Sequence, residues 1–166
     1  MKKLVIFSAI AVAIGALVVS GCGYVHKSLL PGDVKSVQIN IFDNESDRPD
    51  LELTVTKAIV NEVSSATDLK LTDTNPDSIL KGTLVERPNR SLITSEVGVV
   101  TTGDVTLEVD LVWTDARTNG EIPLRTKKVV ASATYDVLRG ESRALAVQKA
   151  ADLLAKRVVE AMQEEW

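Results

Sequence analysis

The chain has 166 residues, 45% of them apolar, with 19 basic against 23 acidic side chains, one histidine and one cysteine. A net charge of −4 without a basic block excludes a nucleic-acid binder, which needs clustered lysines and arginines to neutralise phosphates. A lone cysteine excludes an internal disulfide framework, and a lone histidine leaves little for imidazole catalysis or metal ligation.

Lys2 and Lys3 lead a charge-free run, Leu4–Val19, of 16 residues. A spanning helix needs about 20 apolar residues, so the run reads as the core of a signal segment, with an uncleaved anchor helix as the alternative. It ends in Val19-Ser20-Gly21-Cys22. Small residues before the cysteine, with an apolar residue three before it, form the pattern of a bacterial lipoprotein signal. Residues 1–21 are therefore expected to be a cleaved signal peptide. Cys22 is the expected lipidation site, carrying covalent diacylglycerol and an acyl chain, and no other cofactor is expected. Loss of Lys2 and Lys3 shifts the net charge to −6. The mature domain has no polybasic patch for anionic lipids. Gly23 stands where an aspartate would retain a lipoprotein at the inner membrane in a two-membrane cell. This favours the outer membrane, on the periplasmic side.

Residues 22–33 read as a lipid-anchored tether broken by Pro31-Gly32, and residues 34–166 as a single domain, large enough for one core. Val34–Phe42 alternates, with Val37, Ile39 and Ile41 on one face and Gln38 and Asn40 on the other, which predicts a half-buried strand. Asp43–Asp47 is a polar turn. A helix follows from Pro49-Asp50, with Asp50 or Asp47 as N-cap. Its apolar stripe is Leu51, Val55, Ala58, Ile59, Val63 and Ala66, interrupted by Glu62, with Lys57, Asn61 and Ser65 outside.

Leu69–Thr72 is a short strand candidate, and Asn75-Pro76 turns the chain. Ser78–Arg87 has apolar residues on both faces, Leu80 and Leu84 against Ile79 and Val85, as a central strand does. Pro88-Asn89-Arg90 interrupts it, and Leu92–Gly103 reads as a loop or strand end. Val105–Thr114 carries the cleanest alternation: Val105, Leu107, Val109, Leu111 and Trp113 one way, Thr106, Glu108 and Asp110 the other, one face wet. Asn119-Gly120 is a hairpin signal, and Ile122–Tyr135 is the partner strand, with Val129, Ala131, Ala133 and Tyr135 on one face. Arg125, Lys127 and Lys128 stand where they could pair across the hairpin with Glu108 and Asp110. Ser142 caps a long helix to Gln163, whose buried stripe is Ala144, Val147, Ala151, Leu154, Val158 and Ala161.

Strands enclosed between two amphipathic helices predict an α+β fold: a small mixed or antiparallel sheet of about four to five strands with both helices packed on one face. No catalytic or metal constellation emerges. His26 lies in the tether, Asp43 with Glu45 and Asp73 with Asp77 read as solvated turns, and Asp43–Asp47 lacks the glycine and distal glutamate of a calcium loop. The chain reads as a binding protein, not an enzyme.

The ordered set Cys22-Gly23-Tyr24, Val37–Asn44, Arg48-Pro49-Asp50-Leu51-Glu52, Asp77–Gly82, the Thr114–Gly120 hairpin and the terminal Trp166 resembles the lipopolysaccharide-assembly lipoprotein family, the LptE type. Asn40 stands where that family commonly has proline, and Asp50 where it has glycine. The resemblance implies two helices packed on a small sheet, seated as a plug in or against a large outer-membrane β-barrel that exports lipopolysaccharide. It further implies assistance in assembly of that barrel and contact with lipopolysaccharide. Candidate contacts to the glycolipid phosphates are Arg87, Arg90, Arg125, Lys127 and Lys128; the alternative is that these are hairpin ion pairs and ordinary exposed charges. Alternatives for the whole chain are a periplasm-facing adaptor of another envelope assembly complex and, third, a small envelope hydrolase.

Overall fold

The computed structural model of the chain describes Leu30 and residues 34–87, 93–94, 100–118 and 123–163. Cys22, His26, Arg90, the Asn119-Gly120 hairpin signal and Trp166 lie outside the described residues, as does the expected boundary between signal and tether.

In chain order the elements are β1 (Ser36–Ile39), β2 (Asp43–Asn44), α1 (Leu51–Ala66), β3 (Lys70–Leu71), β4 (Ser78–Arg87), β5 (Ile93–Thr94), β6 (Val100–Asp115), β7 (Pro123–Asp136) and α2 (Arg143–Gln163). Short 3-10 turns at Ala116–Thr118 and Val137–Arg139 follow β6 and β7. The strands form one mixed sheet. β1 pairs in parallel with both β3 and β4, β4 pairs antiparallel with β6, and β7 covers the other side of β6. Three of the seven strands have only two residues, so the body of the sheet is β1, β4, β6 and β7. The expected α+β architecture is the observed one.

β6 sets the pattern. Val105, Leu107, Val109, Leu111 and Trp113 are all buried, each pointing to the helix-covered side as strict alternation requires. Leu80 and Leu84 of β4, with Val129, Ala131 and Tyr135 of β7, extend this apolar face sideways. Leu51, Val55, Ala58, Ile59 and Val63 of α1 and the broad face of α2 complete one core. Each fully buried Leu, Val or Ile side chain contributes about 1.5–3 kcal/mol by leaving water.

The stripe of α2 is wider than its sequence reading. Ala146, Ala150, Ala155, Val159 and Met162 are buried as well, because α2 meets β7, β6 and α1 together; Ala144, expected inside, is exposed. Ser142 caps α2 as expected, its Oγ accepting from the Leu145 amide at 3.2 Å.

Two expectations at the front of the domain are corrected. Ile41 does not join Val37 in the core; it is 62% exposed and Phe42 is buried instead. Ile39 lies across from Leu80, and Asp43 across from Thr83. The β1–β2 strand line thus holds one more residue than β4 over the same stretch. That extra residue inverts every later side chain, as a bulge does.

Nor does Asp50 cap α1 with its side chain. It adopts φ 63°, in the left-handed region, and its carbonyl accepts from the Thr54 amide. This conformation accounts for a glycine at the corresponding place in the resembled motif. Aspartate tolerates it better than most residues and adds a negative charge at the helix N-terminus. Asp50→Gly should therefore change stability by no more than about 0.5 kcal/mol, whereas Asp50→Val should cost about 1–2 kcal/mol in urea unfolding.

The sheet has two distinct ends. β1 and β4 begin where β6 ends, and the Ala116 amide donates to the Asp77 carbonyl there. At this end the Asp77 carboxylate accepts from the Lys35 and Ser36 amides and from Ser36 Oγ, each at 3.0 Å. These bonds, the Lys35 amide first, hold the carboxyl below the usual aspartate range. At the opposite end the N-termini of α1 and α2 come together. Glu86 bridges them, paired with Arg48 at 3.1 Å and with Arg143.

Candidate functional site

Both helices cover one face of the sheet. Among the described residues no element covers the other face, and the wet residues of β4, β6 and β7 stand on it. Alternation places Lys81, Thr83, Val85 and Arg87 of β4 there, with Thr106, Glu108, Asp110 and Val112 of β6 and Lys128, Val130 and Ser132 of β7.

Glu108 is the centre of this face. Although it points away from the core it is only 7% exposed. The Arg87 guanidinium lies along its carboxylate, Nε to Oε2 at 2.8 Å and Nη2 to Oε1 at 2.6 Å. The Lys128 ammonium reaches the same Oε1 from the opposite neighbouring strand and also meets Asp110 Oδ1 at 3.2 Å. Donation from Arg87, then from Lys128, holds the Glu108 carboxyl down to about 2 against the opposing effect of burial. Glu108 in turn raises the pKa of both cations. A further rung joins Thr106 Oγ1 and Ser132 Oγ at 2.8 Å.

Glu108 orients these cations as well as balancing them. The bidentate contact uses the Nε–Nη2 edge of Arg87, and its bonds to described residues do not use Nη1. The side chains of Arg87 and Lys128 remain 51% and 52% exposed. The arrangement can present a fixed guanidinium edge and an ammonium, drawn from two different strands, to an anion above the sheet.

The structure divides the remaining candidates. Arg125 lies across from Trp113 and Lys127 across from Leu111, so both belong to the helix-side face of β7, where they are half-buried. Arg87 and Lys128 are thus brought together, Arg125 and Lys127 are separated from them, and Arg90 lies outside the described residues. The expected pairing across the hairpin holds for Lys128 with Glu108 and Asp110.

Sequence reading missed Glu86. The signal was available: Glu86 is two residues beyond Leu84, hence on the apolar side of β4, where a carboxylate needs cationic partners. Among the described residues no group of three or more His, Cys, Asp or Glu is arranged to hold a metal. No helix among them is long and apolar enough to cross a membrane.

A mixed sheet with two helices on one face and an ion-paired polar surface on the other defines an α+β domain. Residues 34–163 match the family model LptE, described as lipopolysaccharide-assembly, and the chain belongs to that family. No curated protein matches the chain in sequence. Among solved structures it is similar to a minor lipoprotein from Acinetobacter baumannii, at 14% identity and TM-score 0.55, over 78% of this chain and 93% of that one. It is also similar to the uncharacterized lipoprotein B from Nitrosomonas europaea, at 14% identity and TM-score 0.53, over 84% and 88%. A hypothetical protein from Chlamydia trachomatis aligns at 11% identity and TM-score 0.51, over 78% and 98%. At these identities the likeness is one of fold.

Proposed function

We propose that the chain is the lipid-anchored, non-catalytic subunit of an outer-membrane lipopolysaccharide export complex. Cys22 carries the anchor on the periplasmic side, and the domain serves as plug and assembly factor for a large β-barrel. Membership of the lipopolysaccharide-assembly family supports the process. The observation that carries the mode of action is the bare face of the sheet. A core-forming sheet that no described element covers on one side, yet is lined there by Thr, Lys, Arg, Glu and Asp, suits a polar enclosure such as a barrel lumen. On that face Arg87 and Lys128 are the proposed contacts to glycolipid phosphates, because Glu108 fixes them while leaving half of each exposed.

Affinity capture of the full chain from detergent-solubilised membranes tests this. A large β-barrel protein should be recovered in stoichiometric amount, and depletion of the chain should reduce lipopolysaccharide at the cell surface. Recovery of a different envelope complex, with lipopolysaccharide export intact, would favour an adaptor role instead. Within the captured complex, Arg87→Asp combined with Lys128→Asp should lower co-purifying lipopolysaccharide while leaving the barrel bound.

A further inference from the structure

The first turns of α1 and α2 enclose a cleft of about 260 Å3 on the helix side of the sheet, apart from the face that carries Glu108. Its floor is apolar. Leu51 and Val147 are buried core residues, and Pro49 stands beside them as a wall. Its rim is polar and carries Arg48, Asp50 and Gln148. Each of these keeps hydrogen-bonding capacity unspent among the described residues. Arg48 is held in place, its Nε on Glu86 at 3.1 Å and its carbonyl accepting from Asn44 Nδ2 at 2.8 Å, and this leaves both Nη groups as donors. The Asp50 carboxylate makes no capping bond to α1. Gln148 donates through Nε2 to Asp152 at 3.0 Å and keeps Oε1 as an acceptor.

We propose that this cleft binds one neutral sugar ring. A guanidinium only donates and a carboxylate only accepts, so the rim has one group of each kind. A phosphate would meet Asp50 and a cation would meet Arg48, so a net charge of either sign is opposed. Neighbouring hydroxyls on a ring satisfy both sides together. One donates to Asp50 or to Gln148 Oε1, and the next accepts from Arg48, each charged partner making a stronger bond than a neutral one. The C–H face of the ring then lies on Leu51, Val147 and Pro49. The volume is below the roughly 300–1,000 Å3 of sites for drug-sized ligands, which suits a single ring. Lipopolysaccharide carries such rings, so for its natural ligand the inference rests on the reading above. Binding of a free glycoside depends on neither lipopolysaccharide nor a barrel, so the two readings fail separately.

The test is an amide NMR titration of the isotope-labelled full-length chain in a detergent without sugar headgroups. The probes are the methyl glycosides of glucose, galactose and mannose, with inorganic phosphate and N-methylacetamide as competitors of other chemistry. At least one glycoside should shift the Asp50, Leu51 and Gln148 amides saturably at millimolar concentration. Asp50→Gly, which keeps the backbone conformation, should weaken that binding by about tenfold. Arg87→Asp combined with Lys128→Asp should leave it unchanged. No saturable shift with any glycoside, equal affinity in folded Asp50→Gly, or tighter binding of phosphate or N-methylacetamide at the same amides would each overturn the proposal.

Discussion

Gly82→Val will lower stability by about 3 kcal/mol, read as a fall in the urea midpoint at unchanged slope. Gly82 lies on the helix side of β4 between Leu80 and Leu84. A Cβ there would stand 2.6 Å from the Asp110 carbonyl oxygen and 2.8 Å from the Phe42 ring. Neither neighbour can give way: the carbonyl belongs to the backbone of β6, and Phe42 is fully buried. Gly103 is the informative comparison. A Cβ there would meet the outer end of the Tyr135 ring at 2.6 Å, the far end of a side chain and not backbone. Gly103→Ala should therefore cost only about 1 kcal/mol. Equal losses at the two positions would show that the seat for Phe42 is not what Gly82 provides.

Glu108→Ala should cost about 2 kcal/mol, and the loss should depend on pH. The wild-type carboxyl titrates near 2 in the folded chain against an ordinary value of 4.5. A depressed carboxyl stabilises the fold fully above its unfolded pKa, and the contribution disappears as pH falls through the folded value. The full shift corresponds to about 3 kcal/mol at 1.36 kcal/mol per pH unit, discounted to about 2 because Arg87 and Lys128 are half in water. Unfolding curves of the two proteins should stay apart from pH 7 to about 4.5 and converge towards pH 2. A difference that persists unchanged at pH 2 would mean that Glu108 acts by packing and not by charge.

The parts of the fold legible in the sequence are those where one period governs a whole element. The alternation from Val105 to Trp113 places every member correctly because β6 is long, continuous and covered on one face. The two helices were legible because Leu51–Val63 and Val147–Ala161 keep their stripes over several turns. What escaped depends on counting across strands. One extra residue between Ile39 and Asp43 sends Ile41 outward, and nothing within that segment announces it. Two-residue strands such as β2 and β5 are too short to carry a period.

The candidate site divides in the same way. Arg125, Lys127 and Lys128 look like one basic cluster along the chain, but neighbours in a strand point to opposite faces. Counting back in twos from buried Val129 already assigns Lys127 and Arg125 to its side and leaves Lys128 alone on the bare face. The burial of Glu108 needed the register, since only the sheet brings Arg87 and Lys128 to it from opposite sides.

The grip of Asp77 on Lys35 and Ser36 also has a mechanical meaning. β1 lies between β3 and β4, parallel to both, and the chain enters it at its first residue. A pull on the preceding segment is directed along the strand. It loads the hydrogen bonds on both flanks of β1 in shear, all together, instead of peeling them one by one. The carboxylate bonds at 3.0 Å take up that load first. The domain thus meets a pull on the segment before β1 with bonds that share the load side by side.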